Sequence, residues 1–166
     1  MRIFQASLFA LMSVLSLAAC DGAPGDFCGA SDVVPTADEV GEGRGTATHD
    51  GAAFESEGSW GAGPSASIDL GVLSMTIVND ETGAQTEDLI SRGAFPICIL
   101  LGERSEDTGA ANYIQGGFVT DNDTGGMLSI LGIEGSNILG RFNVDLENGS
   151  GETMTFEDGV FNVPQR

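Results

Sequence analysis

Glycine limits how this chain can fold more than any other feature. All 25 glycines lie beyond residue 20, and the longest later stretches without one, residues 30–40 and 72–82, are 11 residues each. An average helix takes about 11 to 12 residues, and a Gly inside one costs about 1 kcal/mol. Pro35 splits the first stretch, and the second is rich in β-formers. The spacing predicts an all-β chain with hardly room for a helix.

Alternation phases the strands. In residues 137–147 the apolar Ile138, Phe142, Val144 and Leu146 take the even positions with Gly140, while Arg141, Asn143, Asp145 and Glu147 take odd ones. That is a half-buried antiparallel strand. Asn148-Gly149-Ser150-Gly151 then turns the chain, and Met154 and Phe156 point inward. After Asp158-Gly159 the inward set becomes Phe161 and Val163, which requires one extra residue and predicts a bulge. Upstream, Ile68 and Leu70 share a face, whereas Leu73, Met75 and Ile77 have the opposite parity, so Gly71 marks a bulge or tight turn. Residues 95–101 read as a central strand with Pro96 at an edge or bulge. Residues 46–49, 54–60, 112–119 and 127–133 supply further candidates. About eight short strands make an antiparallel β-sandwich or a calycin-like barrel.

Charge excludes whole classes of partner and mechanism. There are 25 acidic residues against six Arg and no Lys, for a net charge of −19, so chemistry that requires a lysine is absent. A polyanion gains nothing from such a protein through counterion release, and no nucleic-acid partner is expected.

The first 20 residues have the order of a secretory signal: Arg2, then a mostly apolar run, then small residues ending in Cys20. Gln5, Ser7, Ser13 and Ser16 interrupt the run, which is too short to span a bilayer. Leu17-Ala18-Ala19-Cys20 resembles the lipobox of bacterial lipoproteins, which implies cleavage between Ala19 and Cys20 and a lipidated Cys20 as the new first residue. The resemblance further implies a diacylglycerol and an amide-linked chain on Cys20, and two or more acyl chains make attachment stable. Asp21 after the Cys resembles an inner-membrane retention signal, and the choice of membrane stays open. The expected organisation is a signal peptide over residues 1–19, a lipidated Cys and flexible acidic tether over 20–42, and an all-β domain over 43–166.

Towards the carboxyl end, Gly126-Met127-Leu128-Ser129-Ile130, Gly140-Arg141-Phe142-Asn143-Val144 and the run from Gly151 through Asp158-Gly159-Val160-Phe161 to Pro164 resemble a family of bacterial lipoproteins with one small β-domain. The likeness is good over about the last forty residues and loose elsewhere. It implies a β-meander ending in a Gly-x-Phe strand, and no activity.

Candidate chemistry is sparse. His49, the only histidine, precedes Asp50, but no Gly-x-Ser-x-Gly elbow accompanies them, and Asp50-Gly51 reads as a turn. His49 is expected at a solvent-facing strand end, with no catalytic residue assigned. One His and two Cys outside the lipobox do not make a zinc site. Asp121-Asn122-Asp123-Thr124-Gly125 spaces Asp121 and Asp123 as an oxygen-rich calcium loop would, and Asn79-Asp80-Glu81-Thr82-Gly83 is similar. Gly132 stands where an EF-hand needs its Glu, so a polar hairpin loop is the favoured reading and no cofactor is expected. Cys28 and Cys98 remain as an even pair in an exported chain, which favours a disulfide, with a buried free thiol at Cys98 as the alternative. The expected role is a non-enzymatic, membrane-anchored structural or binding module on the extracytoplasmic side of the cell envelope. A calycin-type carrier of small apolar ligands and an envelope hydrolase are the rivals, and an interior cavity discriminates among the three.

Overall fold

A computed structural model describes residues 35–61, 66–77, 80–102, 109–121 and 123–166. The chain is all-β with two helices among these residues. In order they are α1 (Ala37–Val40), β1 (Arg44–His49), β2 (Ala52–Gly61), β3 (Ser67–Leu70), β4 (Leu73–Ile77), α2 (Asp80–Arg92), β5 (Ile97–Leu101), β6 (Gly109–Tyr113), β7 (Phe118–Val119), β8 (Gly126–Glu134), β9 (Asn137–Glu147) and β10 (Thr153–Pro164).

The strands form one sheet in the order β10-β1-β2-β3-β4-β6-β5-β8-β9-β7, and β10 also pairs with β9, which closes the sheet into a ring. Among the described residues the strands pair antiparallel except β5 with β6, which meet at Leu101 and Gly109, and a single parallel bridge joins Trp60 to Gln165. Phe142, Phe156, Phe161, Leu70, Leu73 and Met75 fill the interior. The alternation of β9 is realised: Ile138, Phe142, Val144 and Leu146 are buried in this core. Between Phe156 and Gly159 the register with β9 slips by one residue, and Asp158 takes φ +52°, which is the bulge expected there. It turns the inward set from Met154 and Phe156 to Phe161 and Val163. The Asn143 Oδ1 accepts the Asp158 N–H at 2.9 Å and satisfies the bulge backbone.

Three expectations need correction. Residues 112–119 are not one strand: Gly116 and Gly117, at φ +92° and +70°, turn the chain, and Tyr113 pairs with Phe118 across a hairpin. The chain also carries a 13-residue helix, α2, where Gly83 had counted against one. Gly83 lies inside that helix, and its cost of about 1 kcal/mol is outweighed by burial of Ile90, worth about 1.5–3 kcal/mol. Gly93 ends α2 at φ +66°; its N–H reaches the Ile90 carbonyl at 3.0 Å and the Ala94 N–H that of Leu89 at 2.9 Å, the paired bonds of a Schellman cap. Finally, packing begins at Pro35, inside the stretch read as tether. Pro35 and Val40 are buried, α1 rests on β10 and β1, and Glu39 pairs with Arg141 on β9 at 3.2 Å.

Candidate functional site

The residues expected to carry the anchor, Ala19 and Cys20, and the tentative disulfide partner Cys28 lie outside the described residues. Cys98 lies within them, on the outward side of β5, and is exposed rather than buried as the alternative had it. It is disulfide-bonded, and the only other cysteines in the chain are Cys20 and Cys28.

Asp121 opens the loop between β7 and β8. Its Oδ1 accepts the Asp123 N–H at 2.9 Å, the Thr124 N–H at 3.1 Å and the Thr124 hydroxyl at 3.2 Å, while the Thr124 Oγ1 accepts the Asp121 N–H at 3.0 Å. The Asp123 N–H first, and the two Thr124 donors after it, hold the Asp121 carboxyl below the usual carboxylate range. These bonds explain the Asp-x-Asp-Thr pattern as the closure of a polar loop, with one carboxylate oxygen already taken by protein donors. Asp123 contributes its backbone to that loop and is exposed. The similar stretch after Asn79 opens α2 instead of forming a loop. Among the described residues no group of three His, Cys, Asp or Glu side chains is placed to hold a metal.

His49 ends β1 and is not a solvent-facing residue. Its ring stacks on Phe156 at 4.7 Å with 13° between planes, and Tyr113 lies 5.9 Å away. Phe54 meets the same Phe156 edge-on at 5.2 Å, so four rings close this end of the sheet. Asp50 Oδ2 is 3.2 Å from His49 Nε2, but the approach is not that of a hydrogen bond, and Nε2 has no other partner. The Asp50 backbone is occupied elsewhere: its N–H donates to the Thr155 carbonyl, and its Oδ1 accepts the Thr155 N–H. A general base needs a nucleophile within hydrogen-bond reach, and His49 is surrounded by rings.

The opposite feature of the ring is a seam that the sequence reading missed. Residues 97–100 of β5 pair with β8 on one side and, among the described residues, with no strand on the other. Thr86 and Ile90, four residues apart on one face of α2, pack into the gap beside Trp60, Ile77, Leu128 and Ile130. The cavity left there is about 10 Å³, room for one water. The Trp60 Nε1 is buried and has no hydrogen-bond partner among the described residues. The spacing of Thr86 and Ile90 within the Gly-free residues 84–92 was the available signal.

A second feature lies on the outside of the ring. Register places Cys98 of β5, Ser129 of β8, Arg141 of β9 and Val160 of β10 side by side in one outward row. Ser129 is 0% exposed and Met127, beside it on the same outward face, is 7% exposed; neither belongs to the interior cluster. Leu131, Leu139 and Val160 are likewise buried outside that cluster. Alternation did not announce this, because it put Arg141 on the polar side of residues 137–147.

Comparison with protein families, with curated proteins and with solved structures finds no match to this chain.

Proposed function

We propose that the protein is a lipid-anchored β-domain of the bacterial cell envelope, held on the extracytoplasmic side through Cys20, and that it serves as a non-enzymatic structural or binding module. The observation that favours this reading over a carrier is the packing of the interior among the described residues. Phe142, Phe156 and Phe161 are wholly buried in it, and the cavity beneath α2 is about 10 Å³. Sites for small molecules run to about 300–1,000 Å³. The lipobox residues Leu17 to Cys20 supply the anchor, and among the described residues no helix is long and apolar enough to cross a membrane. The enclosure of His49 by aromatic rings weighs against an envelope hydrolase.

The anchoring test is Cys20→Ala with metabolic fatty-acid labelling. Loss of label and accumulation of the unprocessed chain are expected; unchanged labelling sinks the anchor. The carrier reading has its own test. Organic extraction of protein purified from envelopes, followed by mass spectrometry, is expected to release no stoichiometric lipid, and recovery of one would restore the calycin-type alternative.

A further inference from the structure

We propose that Asn148, in the turn between β9 and β10, is a self-modification site: its side-chain amide is attacked by the backbone nitrogen of Gly149, loses ammonia and leaves aspartate or isoaspartate in its place. The nucleophile needs room. Gly149 is exposed, carries no side chain to shield its nitrogen, and has nothing within 4 Å of the point where a Cβ would stand. The electrophile is already engaged. Asn148 Oδ1 accepts the Ser150 N–H at 2.9 Å and the Glu152 N–H at 3.0 Å, and Nδ2 donates to Glu152 Oε2 at 2.7 Å. These partners fix which end of the amide is which, because backbone N–H groups need the oxygen and a carboxylate needs the NH2. Two main-chain bonds hold the turn around it: the Asn148 N–H donates to the Glu152 carbonyl at 3.0 Å, and the Gly151 N–H to the Asn148 carbonyl at 2.9 Å.

The reaction uses each of these contacts. A solvent base takes the Gly149 N–H proton, the nitrogen adds to Asn148 Cγ, and negative charge gathers on Oδ1. Main-chain donors at 2.9 and 3.0 Å from that oxygen are placed as in an oxyanion hole. When the Cγ–Nδ2 bond breaks, Nδ2 takes a proton from water and departs as ammonia, and the Glu152 carboxylate beside it stabilises the positive charge that builds there. The product is a cyclic imide, which water opens at either carbonyl to give aspartate or isoaspartate, with no oxidant or cofactor involved. An oxygen then stands where Nδ2 met Glu152, so two carboxylates face each other at the end of the β9–β10 hairpin in a chain of net charge −19. Asn137 and Asn162 lack this arrangement. Both are buried, they precede Ile138 and Val163, and the Asn137 Nδ2 donates to the Asn162 Oδ1 at 2.8 Å.

The experiment incubates the full chain near neutral pH, folded and in guanidinium chloride, and follows ammonia release together with peptide mapping that separates aspartate from isoaspartate. In the folded chain Asn148 should convert several-fold faster than in denaturant, while Asn137 and Asn162 stay amides. Gly149→Ala sets a Cβ beside the attacking nitrogen and should slow conversion many-fold; the open space around it keeps the fold intact. Glu152→Gln keeps an acceptor for Nδ2 and removes the charge. It should slow the folded chain several-fold and leave the denatured chain unchanged. Conversion no faster in the folded chain than in denaturant, no slowing in Gly149→Ala, or a Glu152→Gln rate that is unchanged when folded or equally slowed when unfolded, overturns the proposal.

Discussion

Phe142 and Gly159 interlock. They face each other across β9 and β10, directly after the bulge, and Phe142 is wholly buried. A Cβ added at Gly159 would stand 2.6 Å from Cδ1, Cε1 and Cζ of that ring. Carbon atoms pack best at about 3.5–4.0 Å, so Gly159→Ala must displace the ring by about 1 Å in a core with no space to receive it. Overpacking of this kind costs about 1–3 kcal/mol, and we expect about 2 kcal/mol here. For a domain of this size that lowers Tm by roughly 8 °C. Phe142→Leu alone should cost about 1–2 kcal/mol through lost burial. The two together should cost less than their sum by about 1 kcal/mol or more, because the shortened side chain vacates the volume the new methyl needs. Urea unfolding followed by Trp60 emission measures all three, since Trp60 is the only tryptophan and is buried. Gly149→Ala, where nothing lies within 4 Å of the added carbon, is the control and should be near neutral. Costs that add within about 0.5 kcal/mol, or a neutral Gly159→Ala, would falsify the interlock.

Ile90→Ala should destabilise by about 2–4 kcal/mol by opening the seam under α2, and Trp60 emission of the folded protein should shift red as water enters; an unmoved spectrum with full stability argues that α2 does not seal the ring. Asp121→Asn should lower Tm near neutral pH. The folded carboxyl is held below its unfolded value of 3.8, so its contribution is full above 3.8 and fades as pH falls through the lower folded value; the gap between wild type and variant should therefore close in strong acid. A gap that persists there points to lost loop geometry instead of charge. After removal of residues 1–19, five Arg face 25 acids, a net charge of −20, so molar sodium chloride should raise Tm, with the Debye length falling from about 10 Å at 0.1 M to about 3 Å at 1 M. Calcium and magnesium at millimolar level should act alike; a calcium shift lost in Asp121→Asn/Asp123→Asn would establish an ion site at that loop.

What the sequence determined by itself is whatever depends on neighbours along the chain. The density of Gly limited helix, and the parity of residues 137–147 put Phe142 and Val144 inside. The change of parity after Phe156 announced a bulge before any partner strand was known, because the two-residue period leaves no other way to keep Phe161 and Val163 inward. Asp121 and Thr124 likewise meet within four residues. The tertiary structure alone decided the closure of the ring, the seam at Leu101 and Gly109, and the use of α2 to fill it. These depend on which strands meet, and strand order is not written in alternation. His49 shows the same division: its type and its turn were legible, but its stack on Phe156 joins residues 107 positions apart. Arg141 read as solvated because alternation reports only the two faces of a strand, and Glu39, with which it pairs, comes from 102 residues away in the chain.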